Sequence, residues 1–277
     1  MRTVSAYAAC AAVTLLDQDR PGLVIAVHGL TGTRAQPLAL LAGVDVPEFG
    51  VLAPDLRAHG DTPLSGPAEA FTAGRLAQDL TELVRHLGLT SRRVCVLGIS
   101  LGATVALELM RSRSLDIVAG IFVRPTHSSE RPAHLSVNES IASYLRQDPA
   151  TALDRLLASD AYREVEAVSP SAAWGLRDKV TKPRSAERAM RLEAGSRWTA
   201  FLGEERVDTP AQSLVIGMPR DPLHPLVVAE DWQARIARSS LVIVPSRDDD
   251  PAGSSKVVRA AIGSFLHEVG ARTVRRA

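Results

Sequence analysis

The chain has 277 residues, 45% of them hydrophobic, which suits one large α/β domain carrying an insertion better than two independent domains. Its 32 basic and 31 acidic residues give a formal charge of +1, so no global field favours nucleic acid or an anionic membrane, and the expected partner is small or locally recognised. The two cysteines, Cys10 and Cys95, form neither a ligand cluster nor a disulfide framework; a reducing, cytoplasmic compartment fits, and no metal or cofactor is expected.

At the N-terminus, Met1 to Leu16 holds the apolar stretch "VSAYAACAAVTLL" behind one arginine. It has the outline of a short signal segment but reads better as two short strands. No run approaches the roughly 20 apolar residues that span a bilayer. Gly22 to Val27, "GLVIAV", is a continuous branched apolar run bounded by Pro21-Gly22 and His28-Gly29, as expected of a central strand covered on both faces. A further strand runs through Val51 to Ala53 and ends at Pro54-Asp55. Leu76, Leu80, Leu83, Val84 and Leu87 then fall at helical spacing, with Gly88 closing the helix and Arg92-Arg93 leading into the strand "VCVLG". Leu101 to Met110 continues as a helix, and "DIVAGIFV", 116 to 123, returns as a strand. This alternation predicts a mostly parallel sheet flanked by helices, an α/β fold.

From Arg124 to Pro210 the strand signals stop, and helices are predicted around 137–147, 149–158, 160–168 and 184–194. Strand "SLVIG" at 213–217, a helix from about Leu226 to Arg238, strand "LVIVP" at 241–245 and a last helix from about Ser254 to Val269 restore the pattern. The division read from this is a core of residues 1–124 and 211–277 with a mobile helical lid, 125–210, inserted over it.

Gly98-Ile99-Ser100-Leu101-Gly102 spells G-x-S-x-G between a strand and a helix. The small flanking residues let the backbone turn sharply enough to project the serine above the sheet's C-terminal edge, which makes Ser100 a candidate nucleophile, and the following helix directs its positive dipole at the same place.

With this elbow, with "HGLTG" (His28 to Gly32) after the first central strand, and with "DLRAHG" (Asp55 to Gly60), the chain resembles the α/β-hydrolase-fold superfamily with a helical lid over nearly its whole length. The resemblance implies that the backbone N–H groups of Leu30 and Leu101 face a developing oxyanion, and that His59 shapes its loop without doing chemistry. It also implies that Asp221, in "LVIGMPRDP", fills the place of the acid. The family's histidine belongs after the last strand, yet "PSRDDDPAGS", 245 to 254, contains none, and His267 lies in the final helix.

Among the remaining histidines, His28 and His86 read as structural. His224, three residues after Asp221 and stiffened by Pro222 and Pro225, is the leading candidate base for an atypical Ser-His dyad, and His127 is the alternative. Asp248, Asp249 and Asp250 occupy the loop that lacks the histidine. Carboxylates near their usual pKa of about 4 are poor bases for a hydroxyl, so these read as solvated charges.

The resulting expectation is acyl transfer through an acyl-Ser100 intermediate, to water (esterase or thioesterase) or to another acceptor (acyltransferase), on a small-molecule ester or thioester. An acyl carrier protein is a further possible partner, with Arg111, Arg113, Arg124 and Arg131 as its contacts. The competing readings are an isomerase or epimerase, and a ligand-binding protein on the same fold.

Overall fold

The computed structural model describes residues 5–63 and 67–274. Seven strands form one sheet: β1 (Val13–Leu16), β2 (Gly22–Val27), β3 (Phe49–Pro54), β4 (Arg93–Ile99), β5 (Ile117–Val123), β6 (Gln212–Gly217) and β7 (Ser239–Ile243), in the spatial order β1-β3-β2-β4-β5-β6-β7. Only β1 runs antiparallel to its neighbour.

Strand side chains point alternately to the two faces, and in β2 both faces are apolar because both are covered. Leu23, Ile25 and Val27 pack with α3 (Ala73–His86), α4 (Leu101–Ser112) and α10 (Leu226–Arg235), whose Trp232 is fully buried. Val24 and Ala26 face the other way, toward α2 (Ala35–Leu41) and the Val258, Ile262, Leu266 and Val269 stripe of α11 (Pro251–Val274). Cys95 lies buried in β4, inside this second layer.

Between β5 and β6 the chain makes the helical insertion: α5 (Ser136–Gln147), α6 (Ala152–Leu157), α7 (Asp160–Val168), α8 (Pro170–Thr181) and α9 (Ser185–Gly195). It has a small core of its own, in which Ile141, Leu156, Leu176 and Leu192 are buried with Leu223 from the loop after β6.

Two expectations need correction. The N-terminal segment is one helix and one strand, not two strands: α1 (Ala6–Cys10) forms because the Ser5 hydroxyl accepts from Ala8 N (3.2 Å) and because Tyr7 is buried, donating to the Asp55 carbonyl (3.1 Å). Residues 1–4 of the signal-like stretch lie outside the described residues. Helices α2 and α8 also stand where the sequence pattern predicts none. Among the described residues no helix is long and apolar enough to cross a membrane.

Candidate active site

The turn from β4 into α4 depends on two glycines. A Cβ on Gly98 would stand 2.2 Å from the Gly102 carbonyl oxygen, and one on Gly102 would stand 2.5 Å from that of His28, so any larger residue would force the strand and helix apart. Ser100 at the apex has φ 55° and ψ −118°, a positive-φ conformation that serine rarely adopts. Its N–H is fixed to the Val123 carbonyl at 2.9 Å. The strain is thereby held between two central strands and leaves the side chain standing above them.

The structure brings Ser100, His224 and Asp221 together. His224 Nε2 is 2.9 Å from Ser100 Oγ, and His224 Nδ1 is 2.9 Å from Asp221 Oδ2. A carboxylate only accepts, so Nδ1 carries the proton and Nε2 offers its lone pair to the serine hydroxyl. Asp221 is held by its own loop: Oδ1 accepts from Leu223 N (3.1 Å) and His224 N (3.2 Å), and Arg124 Nη1 donates to Oδ2 at 2.9 Å.

The electrostatics follow from this packing. Burial alone would raise the Asp221 pKa, but attraction to His224, their hydrogen bond and the Arg124 guanidinium overcome it and hold the carboxyl well below the usual carboxylate range. Burial likewise lowers the His224 pKa; Asp221 opposes that shift, while Arg124 and Lys179 add to it.

The other histidines are committed elsewhere. His28 Nε2 accepts from Leu56 N (3.0 Å), and His59 Nδ1 meets the Arg57 carbonyl (2.9 Å); burial lowers both, His28 to about 4. His127, the alternative base, stands buried with Nε2 2.8 Å from the Gly195 carbonyl and Nδ1 2.8 Å from Thr104 Oγ1. The carbonyl requires the proton on Nε2, so Nδ1 accepts from Thr104 and no lone pair remains for a substrate. Burial pushes its pKa down to about 4. The ring clasps α9 of the insertion onto α4 of the core.

Asp248, Asp249 and Asp250 are not a free solvated cluster. Asp248 accepts from Ser169 Oγ (2.5 Å), Ser171 N (2.8 Å) and Ser171 Oγ (3.1 Å), joining the post-β7 loop to the start of α8. Asp249 pairs with Arg220, and Asp250 accepts from Gly253 N (2.8 Å). His267 is exposed on α11 and His86 at the end of α3.

Ser100, His224, Leu30 and Leu101 line a cavity of about 200 Å³ between the sheet edge and the insertion. The four arginines expected to meet a carrier do not converge there. Arg111 pairs with Glu108 (2.6 Å) and Glu205 (3.0 Å), Arg113 caps the end of α4 away from Ser100, and Arg131 pairs with Glu139 (2.5 Å). Only Arg124 of the four reaches the cavity, where it braces Asp221. That bracing role, and the presence of Lys179 and Arg247 in the lining, escaped the sequence reading; a basic residue just after β5 was the one signal available for Arg124.

Residues 24–261 match the sequence pattern of the Alpha/beta hydrolase family, and the chain belongs to that family. None of the curated proteins is similar enough in sequence to count as a match. Similar solved structures include a thermophilic esterase from Thermogutta terrifontis (21% identity, 94% of each chain, TM-score 0.69). Another is the esterase EaEST from Exiguobacterium antarcticum (14% identity, 92% of this chain and 95% of that one, TM-score 0.69). A third is the proline iminopeptidase of Mycobacterium smegmatis (16%, 95% and 96%, TM-score 0.65). Esterases and a peptidase at such identities share the fold, which by itself selects no substrate.

Proposed function

We propose that the chain is an esterase-type hydrolase acting through an acyl-Ser100 intermediate, with residues 125–210 as its lid. The observation that carries the reading is the unbroken hydrogen-bond chain from Ser100 Oγ through His224 to Asp221. His224 Nε2 takes the hydroxyl proton as Ser100 Oγ attacks the substrate carbonyl carbon, and Asp221 orients the ring and stabilises the imidazolium. The N–H groups of Leu30 and Leu101 receive the negative charge on the carbonyl oxygen, where each such donor is typically worth about 3–4 kcal/mol. Collapse of the tetrahedral intermediate breaks the bond to the leaving oxygen, which takes the proton from His224. Water then attacks the acyl-serine, giving its proton to His224, which passes it to Ser100 Oγ as the C–Oγ bond breaks and the acid is released.

The complete Ser-His-Asp relay supports this reading over the isomerase and ligand-binding alternatives, neither of which needs an activated serine. Thioesters fit the same steps. Water is the simpler acceptor because Arg111 and Arg131 are paired with glutamates and Arg113 sits at the far end of α4, which leaves only Arg124 of the four at the cavity.

Labelling with a fluorophosphonate tests the proposal. The wild-type protein is expected to react at Ser100, and Ser100→Ala to lose labelling and ester turnover while keeping its fold. Turnover that survives Ser100→Ala would overturn it.

A further inference from the structure

The cavity over Ser100 has an unbalanced lining. Arg124, Lys179, Lys182, Arg220 and Arg247 all border it, against the carboxylates of Asp178, Asp221 and Asp248. Three of these cations are already matched: Arg124 with Asp221 (2.9 Å), Lys182 with Asp178 (2.5 Å), and Arg220 with Asp249 outside the lining. The third carboxylate, Asp248, is taken up by Ser169 and Ser171.

Lys179 and Arg247 are left. Among the described residues neither has a carboxylate at ion-pair distance; the Lys179 ammonium donates to the neutral Asn138 Oδ1 at 2.8 Å. The two come from different parts of the fold, Lys179 from α8 of the insertion and Arg247 from the loop after β7.

We propose that Lys179 and Arg247 form an anion subsite, and that the substrate is a short ester or thioester bearing a carboxylate besides the bond to be cleaved. The substrate class rests on the hydrolase reading, whereas the anion subsite itself does not.

A cation in a confined pocket without an ion-pair partner is costly; half-buried Lys179 carries that cost, while Arg247 stands at the exposed rim against the like charge of Arg124. Burial pushes the Lys179 pKa down to about 8, and repulsion from Arg124 together with burial pushes that of Arg247 to about 10. A bound carboxylate would relieve both. Size restricts the ligand further, since about 200 Å³ is below the roughly 300–1,000 Å³ of pockets that enclose drug-sized molecules. With two unmatched charges and a small volume, a monoanion on a chain of a few carbons fits.

The test uses the full chain carrying Ser100→Ala, so that binding is read without turnover. Monomethyl glutarate and its neutral amide analogue, methyl 4-carbamoylbutanoate, are titrated by calorimetry. The acid is expected to bind at least tenfold more tightly than the amide, and Lys179→Met and Arg247→Met are each expected to cut that preference below threefold. Arg247 is exposed, so its substitution keeps the test valid should the Lys179 variant fail to fold. Equal binding of acid and amide, or a preference that survives both substitutions, overturns the proposal and leaves the fluorophosphonate result untouched. Conversely, a protein that binds the acid but never labels at Ser100 would keep the subsite and lose the hydrolase.

Discussion

His224 reaches Ser100 from the loop after β6, 2.9 Å from nitrogen to oxygen, although the residue that orients it, Asp221, is only three positions earlier on that same loop. His224 and Asp221 therefore share one short segment, and the loop after β7 instead contacts the insertion through Asp248. If His224 is the base, His224→Ala should slow acylation of Ser100 by about 10²–10⁴, the usual loss for a general base, while Asp249→Asn should leave it nearly unchanged. Single-turnover kinetics with a chromogenic ester would separate the two. Equal and small effects would contradict the assignment.

The strands were legible because both faces of the sheet are covered, which makes β2, β4 and β5 read as unbroken apolar runs. The turn that carries Ser100 was legible for a related reason: a turn this tight admits only glycine at 98 and 102. The pairing of His224 with Ser100 was suggested by pKa matching, but no local pattern fixes the path of the loop that carries it. Helix α8 stayed hidden because Gly175 interrupts its interior and Trp174, 69% exposed, lies off its short buried stripe of Ala173, Leu176 and Val180, which blurs the apolar periodicity that marks α3. The hidden helix carries Lys179. The cavity lining contributed by the insertion was thus the least readable part, since it depends on where the insertion is seated.

The "DLRAHG" turn is held by Arg57, whose Nε and Nη2 donate to Asp79 Oδ2 (2.9 Å) and Oδ1 (2.8 Å) in a buried pair. Removing one member of such a pair typically costs about 3–5 kcal/mol, because the other charge stays buried. Arg75 also donates to Asp79, at 3.0 Å, and retains part of the compensation. Arg57→Ala is expected to lose about 3 kcal/mol in a denaturant titration. A loss below about 1 kcal/mol would mean that Arg75 suffices.

Asp248 ties the post-β7 loop to Ser169 and Ser171 at the start of α8. The contact is partly exposed, so its loss should cost about 1 kcal/mol, less than a buried charge-assisted bond, and raise local opening about fivefold. Limited proteolysis of Asp248→Ala should show correspondingly faster cleavage within 125–210, with the sheet elements cut no sooner than in wild type. Unchanged cleavage would show that the clasp of His127 between Thr104 and Gly195 holds the insertion alone.

His224 and Lys179, which both line the cavity, predict different pH limbs for two substrates. His224 works as a base only when neutral, and burial lowers its pKa below the ordinary 6.5; activity should therefore be lost as pH falls through a midpoint under 6.5, for any ester. Lys179 faces Asp178, Asp221 and His224, and burial brings its pKa down to about 8. Its charge, present below that value, disappears above it. For p-nitrophenyl hydrogen glutarate, kcat/KM should therefore decline above about pH 8, whereas for p-nitrophenyl butyrate, which has no carboxylate to hold, it should stay level. In Lys179→Met the alkaline decline should vanish and the acid limb move upward, because a positive charge that disfavours the imidazolium has been removed. Profiles of kcat/KM from about pH 5 to 9.5 on both esters, at constant ionic strength, measure this. Superimposable alkaline limbs for the two substrates would exclude Lys179 as the group that holds the carboxylate.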